Sequence, residues 1–225
     1  MWIFYAIGSS FFAGITAILA KCGIKKTDSD VATAIRTVVV LLFSWLMVMM
    51  TGTWGGINQI DSRTLLFLIL SGMATGASWL CYFHALQKGD INKVVPIDKS
   101  STVLSILLAL IFLREGITGA KIVSVLLIGI GTMMMITKKD IETDSGKKSG
   151  GWLIYAVLSA VFASLTSILG KIGIEGIDSN LGTAIRTTVV LLMAWLMVFI
   201  TGKQKEIKAI EKKELCFICL SGLAT

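Results

Sequence analysis

Apolar residues in this chain arrive in long unbroken runs, not at every third or fourth position. Runs lie near 2–20, 31–51, 64–86, 91–113, 118–137, 152–170 and 181–201, and another begins at 214. About 20 helical residues at 1.5 Å each span the roughly 30 Å hydrocarbon core of a bilayer. A soluble helix of that length would carry a polar face, and these runs mostly lack one. Backbone groups in lipid must satisfy one another, so each run predicts a helix. The expected architecture is an all-α, polytopic membrane protein with seven complete spans and the start of an eighth. The stretch KKDIETDSGKKSGG, 138–151, is charged, rich in Gly and Ser, and without apolar periodicity. It reads as a linker.

The linker separates two copies of one pattern. WIFYAIGSSFFAGITAILAKCGI from Trp2 aligns with WLIYAVLSAVFASLTSILGKIGI from Trp152, and the match runs without a gap to LSGMAT (70–75) against LSGLAT (220–225), with about half of the positions identical. TAIRTVVVLL from Thr33 returns as TAIRTTVVLL from Thr183, arginine included. The first copy continues from Gly76 to about Thr137, while the second stops at Thr225 inside an apolar run. The expected organisation is a five-helix repeat over 1–137, the linker, and an incomplete second repeat over 152–225. A complete protein would have ten spans and roughly 285–290 residues.

Loop charge adds direction. After the first span, copy one carries Lys21, Lys25 and Lys26, where copy two keeps Lys171 but has Glu175 and Gly176. After the second span the bias reverses: TGTWGGINQIDSRT is nearly neutral, whereas TGKQKEIKAIEKKE carries Lys203, Lys205, Lys208, Lys212 and Lys213. An odd number of spans per unit would place the second copy upside down, and cytoplasmic loops collect Lys and Arg. The lysines put loops 21–30, 87–93, 138–151 and 202–213 on the cytoplasmic side and the amino terminus outside.

Composition narrows the class. The chain is 55% hydrophobic with a single proline and a net charge of +7, and its mean hydropathy is +0.82. Positive-inside loops account for that charge better than nucleic acid does, since the loops offer little basic surface. Cys22, Cys81, Cys216 and Cys219 form no disulfide framework, and the C-x-x-C of ELCFICLSG sits in an apolar helix start without a second pair. No cofactor or metal is implied. The first run has no basic residue before it and no small-residue cleavage motif, so it reads as a retained span.

YFHALQKGDINKVVPID at 82–98 and FLREGITGAKIVSVLLIGIGTMMMI at 112–136, within the duplicated five-span pattern, resemble the drug/metabolite transporter superfamily in its EamA-type branch. Relatives often place a Gly-Glu or similar acidic pair where this chain has Arg114-Glu115. The resemblance implies ten spans, a central cavity between the repeats, and movement of metabolites or drugs, usually outward. It also implies cytoplasmic termini, against the lysine distribution here.

Ionisable side chains are costly in lipid and must face the bundle interior, a partner or water. Arg36 and its counterpart Arg186 read either as snorkelling to the headgroups or as cavity-facing cations that hold an anionic group or pair with an acid. Asp98 and Lys99 follow Pro96, the only proline, with Ser101 on the same turn. They read as the strongest substrate-site candidate, or else as an interfacial helix start. Trp79, Tyr82 and His84 could form an aromatic wall with a titratable group, or an interface belt. Arg114 and Glu115 read as a snorkelling pair or as a gate. Gly72 and Gly76 predict a close helix approach, and Gly129, Gly131, Ser9 and Ser159 would also permit one.

The expected function is secondary transport, exporting small metabolites or drugs by alternating access, in the plasma membrane. Expected partners are the lipid bilayer, a small-molecule substrate and a coupling proton; no nucleic acid is expected, and a homodimer is compatible with the chain. No Walker motif is present. An intramembrane lipid-carrier enzyme would want clustered acids and histidines, and this chain has one histidine. A non-transporting scaffold would need no buried ionisable residues.

Overall fold

The computed structural model describes residues 2–112, 116, 118–137 and 151–225. These residues form α1 (Trp2–Gly23), α2 (Ser29–Thr51), α3 (Ser62–Lys88), α4 (Ile91–Lys99), α5 (Ser101–Phe112), α6 (Gly119–Thr137), α7 (Gly151–Ile174), α8 (Ser179–Ile200) and α9 (Lys212–Leu223), with no strand among them. Six segments of the described residues are long and apolar enough to cross a membrane, the segment Ile91–Phe112 combining α4 and α5; a shorter apolar helix begins at Gly119. The protein is a multi-pass α-helical membrane protein, as the apolar runs predict. Residues 138–150 of the expected linker lie outside the described residues.

Polar residues mark the helix ends. Asp28, Asp61, Asp90 and Asp178 stand in extended backbone, and each side chain accepts the amide two residues on, at Asp30, Arg63, Asn92 and Asn180. This supplies amides that the first helical turn leaves unpaired. At the other end of α2 and α8 the sequence Thr-Gly recurs. Gly52 and Gly202 take φ of 68° and 70°, a left-handed turn open to a residue without Cβ.

The fourth apolar run is continuous in sequence and broken in structure. Pro96 lies inside α4, where it has no amide to donate to the Asn92 carbonyl. One turn later the chain tightens: the Ser100 amide donates to both Pro96 and Ile97, and α5 restarts at Ser101. Asp98 is therefore near the carboxyl end of α4, not at a helix start, and the interfacial helix-start reading is set aside.

The two copies meet around an antiparallel two-fold. Ser71 bonds Thr166 and Ser78 bonds Ser159 between α3 and α7. Thr16 bonds Ala224 between α1 and α9. In both pairs the partner's number falls as the residue number climbs. The helices α2 and α8, which are repeat counterparts, also run antiparallel. Val31, Ala34, Ala194 and Val198 make one apolar cluster, packed with Ile207 and Ile210. Val48, Leu181 and Ala184 make its mirror image, packed with Ile57 and Ile60. Val31, Ala34 and Val198 have their counterparts in Leu181, Ala184 and Val48, and Ile207 and Ile210 theirs in Ile57 and Ile60, as a two-fold contact requires; only Ala194 is matched by a residue outside the cluster, Ser44.

Glycines set the spacing. A Cβ on Gly72 would lie 2.7 Å from Val189 Cβ and 2.9 Å from the Arg186 carbonyl oxygen. Its counterpart on Gly222 would lie 2.9 Å from the Arg36 carbonyl oxygen and 3.1 Å from Val39 Cβ. Gly76 packs on Met193, so the expected close face at 72 and 76 is present. Gly129 and Gly131, which would permit a close approach, have nothing within 4 Å among the described residues. They lie on α6, whose Leu126, Leu127 and Ile130 are exposed.

Gly72→Val is expected to destabilise the fold by about 1–3 kcal/mol, since side chain would meet backbone. Gly129→Val should be neutral. Thermal unfolding in detergent micelles, monitored by tryptophan fluorescence, checks both.

Candidate functional site

Breaking the fourth span brings its polar turn against α3 and α7. There a cavity of about 530 Å³ opens, lined by Arg36, Trp79, Tyr82, Asp98, Lys99 and Ser101 among others. Six of the eight expected substrate-site residues thus share one chamber, made by segments far apart in sequence. A second cavity of about 280 Å³ holds Arg186. Trp79, Leu223 and Thr225 line both, so they form the partition between the two arginines.

Arg36 does not snorkel. The residue is 4% exposed, and its guanidinium lies 4.4 Å above the Trp79 ring and 5.3 Å from that of Phe83. One Nη donates to Thr225 Oγ1 at 2.5 Å, while Nε is buried without a partner. Arg186 repeats this arrangement more loosely. Its Nη lies 3.5 Å from Thr75 Oγ1, the counterpart of Thr225, and its Nε is also buried and unpaired. Gly170 makes room for it: a Cβ there would stand 3.1 Å from Arg186 Nη1.

Asp98 is 8% exposed. Its Oδ1 accepts from Ser159 Oγ at 2.5 Å, and Ser78 Oγ donates to the Ser159 carbonyl at 3.1 Å. Lys99 Nζ stands 3.7 Å from Asp98 Oδ2. A chain of hydroxyls thus ties the carboxylate to both α7 and α3, at the depth where the fourth span breaks.

His84 lines neither cavity. Its Nδ1 is 3.2 Å from Ser29 Oγ, and its ring meets Tyr155 edge-on at 4.3 Å between centroids. It belongs to the lysine-rich end of the bundle. Arg114 and Glu115 lie outside the described residues.

That lysine-rich end contains contacts that reading the sequence missed. Lys203 Nζ bridges Asp28 at 2.8 Å and Asp30 at 2.6 Å. Glu214, 6% exposed, accepts from the amides of Lys26 and Thr27 and from Thr27 Oγ1. Lys26 also pairs with Glu211 at 2.5 Å. Lys21 donates to the carbonyls of Leu86 and Gly89, capping the carboxyl end of α3. The Lys203, Glu214 and Glu211 contacts latch the α1–α2 loop of one copy to the α8–α9 loop of the other. A signal was available. At the two-fold-related positions the chain has Thr53 for Lys203, Thr64 for Glu214 and Asn180 for Asp30, so these latch residues are present at one end only.

The chain matches the EamA-like transporter family model over residues 1–137 and belongs to that family. It is similar to an uncharacterized transporter in the cobO 3′ region of Sinorhizobium sp, 44% identical over 134 residues, which covers 60% of this chain and 95% of that protein. It is also similar to the uncharacterized transporter YxxF of Bacillus subtilis, 25% identical over 158 residues, covering 63% of this chain and 50% of that protein. Fold and family together define a membrane transporter.

Lys203 is expected to hold the latch by charge. Burial lowers its pKa, but hydrogen bonds to Asp28 and Asp30 outweigh burial and raise it above the ordinary lysine value. A base whose pKa rises on folding stabilises fully below its unfolded pKa and loses that contribution as pH climbs through the folded one. Lys203→Ala should therefore lower stability by about 1 kcal/mol, equally at pH 7 and pH 9, and the gap should close only above about pH 10.4. Melting temperatures across that range check it.

Proposed function

We propose that the protein is a secondary transporter that exports small metabolites or drugs across the plasma membrane by alternating access between its two repeats, and that it performs transport, not catalysis. The observation that carries this reading is the chamber itself. Ionisable and aromatic side chains from four segments line a space deep in an apolar bundle, where two inverted units meet. A scaffold would have no use for a buried Arg36 and a half-buried Arg186 inside the bundle, since an arginine in lipid costs about 2.5–3.5 kcal/mol on insertion scales. Among the described residues no group of three or more His, Cys, Asp or Glu side chains could hold a metal; the reading needs none.

The latch supplies the moving part. With Lys203 and Glu214 engaged, the lysine-rich end is pinned shut, while at the far end threonines, Thr53 and Thr64, stand at the positions related to these two. The lysines place the pinned end in the cytoplasm. Opening requires the loops to part while the Gly72 and Gly222 contacts act as the pivot. Asp98 is the proposed proton-coupling group, because its hydroxyl partners can rearrange when the carboxyl is protonated.

Two measurements test the reading. Asp98→Asn should reduce proton-driven flux in proteoliposomes by tenfold or more with little loss of inserted protein; unchanged flux removes Asp98 from the coupling role. In a variant freed of its native cysteines, Lys25→Cys and Glu175→Cys should label from opposite sides of the membrane. Labelling from one side would end the inverted arrangement.

A further inference from the structure

We infer that the solute this chamber takes is an organic anion, bound by its oxyanion group to the Arg36 guanidinium with its apolar body against Phe12 and Trp79. The inference deepens the transport reading and rests on it.

Charge balance comes first. Among the described residues Arg36 has no carboxylate within ion-pair distance, and its hydrogen-bond partner is the neutral Thr225 hydroxyl. Its Nε is buried and unpaired. A guanidinium offers five N–H donors in a planar fork that matches a carboxylate or phosphate two bonds at a time. A buried cation left in that state lacks its counter-charge. The nearest acid in the chamber is already engaged: Asp98 accepts from Ser159, and Lys99 stands beside it. The ionisable side chains lining the chamber include the two cations Arg36 and Lys99 and the single carboxylate Asp98. Arg186 adds a second uncompensated guanidinium behind the Trp79 partition.

The aromatic wall excludes the opposite charge. A cationic solute drawn to the Trp79 ring would meet a like charge there, since Arg36 already lies over one face of that ring at 4.4 Å. A cation entering the chamber would approach Arg36 and Lys99 without a free carboxylate to meet it. An anion faces the reverse: a waiting fork of donors, and indole and phenyl surfaces for its carbon skeleton.

The two arginines also give a route. Each lies seven residues inside its helix start, α2 and α8, which begin at opposite ends of the bundle. At helical rise that is about 10 Å from each end. An anion released by one guanidinium finds the second further along the same path, past Thr225 and Trp79.

The test uses the purified full chain in detergent with four probes of one shape: phenylacetate, phenyl phosphate, phenylacetamide and phenethylammonium. The two anions should raise the melting temperature in a saturable way, with at least about tenfold tighter apparent binding than the neutral amide, as expected of a charge-assisted fork. The cation should give no shift. Arg36→Gln should remove the anion effect, and Arg36→Lys should retain part of it. Carboxylate or phosphate preference then shows which oxyanion the fork suits. Equal stabilisation by the amide or the cation, or an anion effect that survives Arg36→Gln, overturns the inference. Should Arg36→Gln fail to fold, Ser9→Cys in the chain with Arg36 intact gives a second readout. Its alkylation should be slowed by phenylacetate and not by phenylacetamide, and equal slowing overturns the inference. Flux of the same probes in proteoliposomes separates the two readings. Arg36-dependent binding without flux keeps the anion site and removes transport. Flux of phenethylammonium untouched by the anions does the opposite.

Discussion

The approach of two glycines to two carbonyls governs this molecule. Gly72 lies against the backbone at Arg186, and Gly222 lies against the backbone at Arg36. Without hydrophobic attraction between helices in lipid, such close packing and interhelical hydrogen bonds are what hold a bundle together. The same contact fixes where the arginines sit. Each is carried on the turn that a glycine of the other copy touches, so packing and site geometry are set together. Arg36 cannot leave the interior for the headgroups without separating α2 from α9.

The polar interior follows from that frame. Ser71, Thr75 and Ser78 stand at one-turn intervals on α3 and meet Thr166 and Ser159 of α7. Hydroxyls satisfied in this way add directional bonds inside an apolar bundle without an ion's solvation cost. Asp98 is tolerated because it reaches this ladder through Ser159, which itself holds to Ser78. The turn that delivers it falls at Ser100, one turn beyond Pro96, where the Ser100 amide is shared between the Pro96 and Ile97 carbonyls.

Much of this was legible in the residues. Six of the seven complete spans expected from the apolar runs are long and apolar enough to cross a bilayer, while the run at 118–137 gives a shorter apolar helix. The repeat showed Arg36 and Arg186 as one feature stated twice, and GMATG announced a close face. Other parts were hidden. Whether an arginine snorkels depends on a partner helix from the other half of the chain, so the position of Arg36 in its own run could not decide it. His84 looked like a chamber residue because Trp79 and Tyr82 precede it, yet it points toward Ser29 and Tyr155 at the bundle end. Lys203 and Glu214 looked like members of a loop charge pattern, while their pairing with Asp28 and Thr27 required the antiparallel fold. Gly129 and Gly131 show that small residues permit a close approach and do not cause one.

The short turns at Thr53–Gln59 and Lys203–Ala209 take the same 3-10 form from unlike sequences. What they share is Ile57 with Ile60, and Ile207 with Ile210, each pair seated on its own apolar cluster. Around these anchors neutral Thr53, Gly55 and Gly56 are matched by charged Lys203, Lys205 and Glu206, and the turn form is the same. The loop charges thus differ between the ends while the turn form is kept, and Lys203 shows that such a charge can also tie its own end of the bundle together.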